Sequence, residues 1–262
     1  MEISPLRHVF IVCHARTGGT WTGQLLNTCP QVKYIWEPNA PQHHRAEQMP
    51  AWDVTDWLQV WCRVHLFTTH IPIRPTFPKA PMDTAVYKLH TVLGDMTRPA
   101  VKWTPAMFDR MRKYLDAKVI HLVRHPTRWT ASMLRWMPEY LNVNAHDLYA
   151  ESNRAFHDRY MREDWYRLFR HEDLIRNPDA IDALFGFAGL QQGPAFVEYQ
   201  AEMHSKNVDN DDQDRNTIMT QNALLEKWRE IPEKLIDMAE DFTNRYWTWA
   251  GYAPLRTKAV AP

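Results

Sequence analysis

The chain has 262 residues, of which 31 are lysine or arginine and 31 are aspartate or glutamate, so its formal net charge is zero. Such a balance gives no global field to draw in nucleic acid or an anionic membrane, and any anion site has to be local. The length suits one α/β domain with a substantial core, no stretch approaches the roughly 20 apolar residues of a membrane span, and the start does not read as a secretory leader, so a cytoplasmic protein is expected.

Val9, Phe10, Ile11 and Val12 form an apolar run without alternation, which predicts a strand near 8–13, buried on both faces in a parallel sheet. Gly18 and Gly19 then permit a sharp turn and close backbone approach to a ligand. Thr20 is read as the cap of a helix over 20–28 whose Leu25 and Leu26 face the sheet. The first N–H groups of that helix, with Arg16 inside the turn, build an anion site whose natural guest is phosphate or sulfate. From this segment alone, a tight turn without a ligand reads the same way. A second strand, 32–36, ends at Glu37-Pro38. The proline-rich stretch 38–83 carries Trp52 and a helix near 53–65, where Trp57 and Trp61 share one face. It is expected to form a lid or acceptor wall, although such a stripe equally fits burial.

A third strand near 84–89 runs through Tyr87-Lys88-Leu89-His90, a helix is expected over 105–115, and Val119 to Val123 mark a fourth strand near 118–123. That strand ends in Arg124-His125-Pro126. A nucleotide triphosphatase would place Lys and Ser/Thr after its last glycine, and Asp at a second strand end to hold Mg²⁺. Here Thr20-Trp21-Thr22 follow the glycines and an arginine takes the strand end, so the ligand's charge is met by side chains. Helices near 128–137 and 145–163, a strand at 165–170, and helices near 180–188, 194–202, 221–229 and 232–250 complete the alternation. This is the pattern of a parallel sheet with helices on both faces. Residues 203–220 hold Lys206, Asp209, Asp211, Asp212 and Asp214 but lack the Gly and closing Glu of a calcium loop, and read as a mobile polar segment. Neither the histidines nor Cys13, Cys29 and Cys62 show zinc spacing, and the cysteines read as reduced core residues.

Four blocks together resemble the sulfotransferases that use 3′-phosphoadenosine 5′-phosphosulfate (PAPS). Arg16-Thr17-Gly18-Gly19-Thr20-Trp21 is similar to their 5′-phosphosulfate loop, with Gly19 where a Thr or Ser is usual. Arg124-His125-Pro126-Thr127-Arg128-Trp129-Thr130-Ala131-Ser132 resembles their 3′-phosphate motif, matching Arg, Pro and Ser and placing Arg128 where Asp is usual. Trp165 to Leu174 resembles the strand ending in R-Y-E-D-L, with His171 at the Tyr position near the adenine, and Trp249-Ala250-Gly251-Tyr252 looks like the closing L-G-Y. The blocks stand in family order over residues 9–252.

The resemblance implies a P-loop-like sulfotransferase architecture over a single domain, residues 1–262, with PAPS as co-substrate, adenosine 3′,5′-bisphosphate as product and no metal. Arg16 would follow the charge that builds on the bridging oxygen, and Arg124 with Ser132 would hold the 3′-phosphate. Two residues compete as the base that deprotonates the acceptor. Glu37-Pro38 resembles the Glu used by tyrosylprotein and several carbohydrate sulfotransferases, and its spacing from Arg16 favours it. His90 resembles the K-T-H of small-molecule sulfotransferases, in which Lys88 could also touch the sulfonate. Lys206 is a candidate for the basic stretch that folds over the 3′-phosphate. A small-molecule or carbohydrate acceptor is expected, with no nucleic acid partner. A non-catalytic nucleotide-binding protein and a Mg²⁺-dependent phosphotransferase of the same fold are the alternative readings.

Overall fold

Five strands lie side by side in one sheet: β1 (Arg7–His14), β2 (Val32–Trp36), β3 (Thr84–Thr91), β4 (Ala117–Val123) and β5 (Tyr166–Arg170). Their order is β2-β3-β1-β4-β5, and every neighbouring pair is parallel. The computed structural model describes residues 7–36, 83–91, 109, 117–136, 145–193, 195–196 and 247–252, with the backbone alone at 35–36, 87–91 and 135–136. The helices among them are α1 (Gly19–Leu26), α2 (Pro126–Trp136), α3 (Ala145–Tyr160), α4 (His171–Arg176) and α5 (Pro178–Ala188), with a 3-10 turn at Thr248–Ala250.

β1 is the central strand because its side chains are apolar in both directions. Val9, Ile11 and Cys13 pack with Leu25 and Leu26 of α1 and with Ile181, Leu184 and Phe185 of α5. On the opposite face, Val123 of β4 joins Trp129 and Met133 of α2, Tyr149 of α3, and Trp247. Burying each such Leu, Ile or Phe contributes about 1.5–3 kcal/mol, and the paired layers fix which way each strand end points. α5 shows local chemistry agreeing with this packing. Asn177 accepts from the Asp179 N–H at 3.0 Å, Pro178 opens the helix, and Gly189 closes it at φ 71 with the Leu190 N–H bonded to Phe185 O.

From β1 the chain crosses to β2 on one side, whereas β5, which follows β4, lies on the other. The crevice between the carboxyl ends of β1 and β4 is therefore the topological switch point, where ligands bind in open parallel sheets. The loops leaving these two strands carry Arg16 and Arg124.

All five expected strands are present within two residues of their predicted ends. Thr20 does not cap α1; Gly18 holds that position at φ 92, and no side chain caps the helix. The helix expected over 232–250 does not reach its predicted end. Trp247 stands outside a short 3-10 turn that Gly251 closes at φ 72. α4 begins directly at His171, where the motif reading has the strand ending. The stretch 38–82, including its helix at 53–65, lies outside the described residues, as do 203–220 and 221–229, most of 105–115 and most of 194–202.

Polar side chains are buried alongside the apolar core, His121 among them. His121, in the middle of β4, is 1% exposed. Its Nε2 meets Asn153 Oδ1 at 2.8 Å and its Nδ1 meets the Tyr166 hydroxyl at 2.6 Å. An amide oxygen only accepts, so Nε2 donates to Asn153, and with burial keeping the ring neutral Nδ1 is left to accept from Tyr166. Burial lowers its pKa to about 4, with the Asn153 bond opposing and nearby His157 adding to the fall. Unfolded, the ring takes up a proton below about pH 6.5; folded, it resists until about pH 4, so the unfolded state binds more protons in that window. This contribution is complete above about pH 6.5 and is lost as pH falls toward 4, amounting to about 3 kcal/mol at 1.36 kcal/mol per pKa unit. His121→Gln is expected to lower stability at pH 7.5 and to flatten the pH dependence of the urea midpoint between 4 and 6.5. An unchanged slope in the variant refutes this role.

Candidate active site

The loop after β1 is bent by two left-handed backbones, separated by one residue. Arg16 takes φ 65, a left-handed conformation that costs a non-glycine residue roughly 1–3 kcal/mol, and Gly18 takes φ 92. Three contacts hold the bend. The Thr17 hydroxyl donates to His14 O at 2.6 Å, the Trp129 indole N–H donates to Ala15 O at 3.0 Å, and Arg124 Nη1 donates to Arg16 O at 2.9 Å. Beyond Gly18, α1 starts with Gly19, Thr20 and Trp21, and its first turn contains no acidic residue. The positive end of that helix thus faces the loop without a carboxylate competing for it.

The loop after β4 is built against the first. Arg16 Nε donates to the Ser132 hydroxyl at 3.1 Å, so Arg16 is bonded to both Ser132 and Arg124. The Arg124 Nε is buried and has no hydrogen-bond partner. Burial pulls the Arg124 guanidinium below its ordinary value, with Glu172 opposing that fall. A buried donor left over on a cation is a binding group for an anion.

Tyr149 of α3 anchors this loop. Its hydroxyl accepts from the Arg124 N–H and donates to Arg124 O, each at 3.1 Å, and its ring stacks on Trp129 with centroids 4.2 Å apart. Burial raises the Tyr149 phenol well above its ordinary value, so it stays protonated and able to donate. Glu172 anchors the same turn from the other side. Its Oε1 accepts from the His125 N–H at 3.2 Å and its Oε2 from the Tyr252 hydroxyl at 2.9 Å. Arg170 meanwhile donates to Gly251 O at 2.6 Å and pairs with Asp173.

His171 sits on the first loop. A Cβ at Gly18 would lie 2.1 Å from its Cδ2, so both the backbone angle and the neighbouring ring require glycine there. Trp21 meets the His171 ring edge to face at 5.7 Å. Burial first, then the Arg124 and Arg128 cations, holds the His171 pKa well below the ordinary histidine range, so the ring is neutral at pH 7.

The structure therefore brings together Arg16, Thr17, Gly18, Gly19, Thr20, Trp21, Arg124, Ser132 and His171. Lys88 and His90 of β3 pair in register with Ile11 and Cys13 of β1, in the carboxyl half of that strand. Glu37 and Lys206 lie outside the described residues. Tyr149, Glu172 and Trp129 were not singled out from the sequence. Trp129 and Glu172 carried a signal, because they fall inside the Arg124 to Ser132 and Trp165 to Leu174 blocks; Tyr149 carried none.

The Sulfotransferase family matches residues 8–194 of this chain, so the chain belongs to that family and is a sulfotransferase by class. Among curated proteins none matches. Among solved structures, mouse sulfotransferase SULT7A1 complexed with PAP is 11% identical, with a TM-score of 0.54 over 91% of this chain and 83% of that one. The sulfotransferase domain of the Synechococcus PCC 7002 olefin synthase is 19% identical, with a TM-score of 0.52 over 93% and 97%. The sulfotransferase domain from the curacin biosynthetic pathway is 15% identical, with a TM-score of 0.53 over 95% and 99%. At these identities the likeness establishes the shared fold. No described helix is long and apolar enough to cross a membrane.

Tyr149→Phe removes the hydroxyl that meets both the N–H and the C=O of Arg124. Leaving buried polar groups without a partner costs about 1–3 kcal/mol, and the loss should appear as a lower urea midpoint with an unchanged m-value. An unaltered midpoint would contradict the anchoring role.

Proposed function

We propose that the protein transfers a sulfonate group from PAPS to a hydroxyl or amine of a small-molecule or carbohydrate acceptor. The observation carrying this reading is the direct connection of Arg16, Ser132 and Arg124 across the crevice between β1 and β4, next to an uncapped helix start. Two guanidinium groups on separate turns suit an anion charged at both ends, and the 3′,5′-substituted adenosine of PAPS is such a ligand. That one solved neighbour is a complex with PAP agrees with this choice.

Each residue then has a task. Arg16, with the first N–H groups of α1, holds the 5′-phosphate end and stabilises the negative charge growing on the bridging oxygen as the S–O bond breaks. Arg124, through its spare Nε, and Ser132 hold the 3′-phosphate. The neutral ring of His171, seated on Gly18 beside Trp21, gives the adenine an uncharged surface on which to rest. Glu37 or His90 takes the acceptor's proton as its oxygen or nitrogen attacks sulfur, and the departing bisphosphate carries away the electron pair of the broken bond.

Arg16→Ala should reduce turnover at saturating PAPS by at least ten- to hundredfold, since a hydrogen bond to a charged group contributes about 1.5–3 kcal/mol. Retained turnover in a PAPS-dependent assay would defeat the assignment. Comparison of Glu37→Gln with His90→Asn under the same conditions identifies the base: we expect the glutamate variant to lose kcat by about 10²-fold or more with little change in KM for PAPS. A loss confined to the histidine variant reverses that assignment while leaving the donor unchanged.

A further inference from the structure

Arg128 is the third residue of α2, whose cap is His125 and whose first residue is Pro126. In a capping box, the residue at this third position reaches back to accept the cap residue's backbone N–H. An arginine has no acceptor for that task. Here the His125 N–H goes to Glu172 Oε1, and the Thr127 N–H goes to His125 Nδ1 at 3.3 Å. The helix start is complete without residue 128, and the position is released for a different use.

What occupies it is a buried cation. Arg128 is 7% exposed, its Nε is enclosed without a hydrogen-bond partner, and its guanidinium forms no ion pair with any described residue. Glu172 is the carboxylate in its field, but both oxygens of Glu172 are engaged by His125 and Tyr252, and Arg124 and Arg176 surround Arg128 with the same sign. Enclosing a cation without an anion against it is a costly arrangement, relieved when an anion arrives. Direction follows from the helix. Arg128 precedes Ser132 by four residues, which places both on one face of α2, and the Ser132 hydroxyl is the group that Arg16 touches.

We propose that Arg128 is a specificity-determining residue that binds the 3′-phosphate of the nucleotide together with Arg124 and Ser132, so that this chain discriminates 3′-phosphorylated from 3′-hydroxyl adenosine nucleotides with two guanidinium groups. The proposal rests on the PAPS reading above and adds a contact at the position where an Asp is usual. Glu172 acts on both arginines only through its field, its oxygens being held by His125 and Tyr252.

The test is equilibrium binding of adenosine 3′,5′-bisphosphate and of adenosine 5′-monophosphate to the full chain and to Arg128→Gln. Loss of one charge-assisted contact predicts bisphosphate affinity about tenfold weaker or more, with the monophosphate changed by less than about twofold. Equal weakening of both nucleotides, or an unchanged bisphosphate affinity, overturns the proposal. Thermal unfolding reads whether the variant folds; Arg128→Ala, which suits a helix and leaves the Glu172 cap in place, carries the same expectation if the glutamine variant does not. A wild-type chain that binds neither nucleotide overturns the PAPS reading itself, whereas a wild type that binds the bisphosphate as tightly as its variants do overturns only the role of Arg128.

Discussion

The bond from the Arg124 guanidinium to the carbonyl of Arg16 is the constraint on which the site depends. Arg16 stands in a conformation that its own side chain disfavours, and the carbonyl turned out by that bend is what Arg124 holds. Neither loop is defined without the other. One supplies a strained backbone needing an external donor, and the other supplies a buried cation whose Nη1 needs an acceptor. The sheet order makes the exchange possible, because it sets β1 beside β4 with their carboxyl ends together.

Around this bond the protein separates charge from structure. The hydrogen bonds that fix the second turn come from groups that stay uncharged or are fully engaged: the Tyr149 phenol, the Tyr252 phenol and the two oxygens of Glu172. The burial that raises both phenols keeps them protonated, so they remain donors across the whole physiological range. The guanidinium groups keep donors to spare. Burial, with Arg124 and Arg128 adding to it, holds His171 neutral, so the ring on the first loop adds no positive charge of its own.

Much of this was legible before any coordinates. β1 and β4 were readable because strands buried on both faces are continuously apolar, and the glycine turn with Arg16 was readable because so few residues tolerate such a bend. The resemblance paired Arg124 with Ser132, whereas the bonds that join Arg16 to Ser132 and Arg124 came only with the structure. Tyr149 was invisible, since nothing in the spacing of α3 links a tyrosine to a strand end 25 residues earlier. Glu172 stood inside the Trp165 to Leu174 block, but its role did not; its capping of α2 spans 47 residues and belongs to the tertiary fold. Thr20 was misread because local cap preference points to a hydroxyl, whereas the close approach of His171 and the left-handed turn demanded glycine two positions earlier. Arg128 could be seen as a departure from a motif, but the helix start that tolerates it required the contact from α4.

The hydroxyl of Tyr252 reaches a carboxylate 80 positions back along the chain, which in turn grips the turn beside Arg124. During synthesis, therefore, the sheet's carboxyl edge can form well before the turn beside Arg124 is fully fastened. A nascent polypeptide halted short of this tyrosine would already possess all five strands, yet its second cationic loop would still await the stitch that fastens it. The second loop is fastened only once the chain has run past Tyr252.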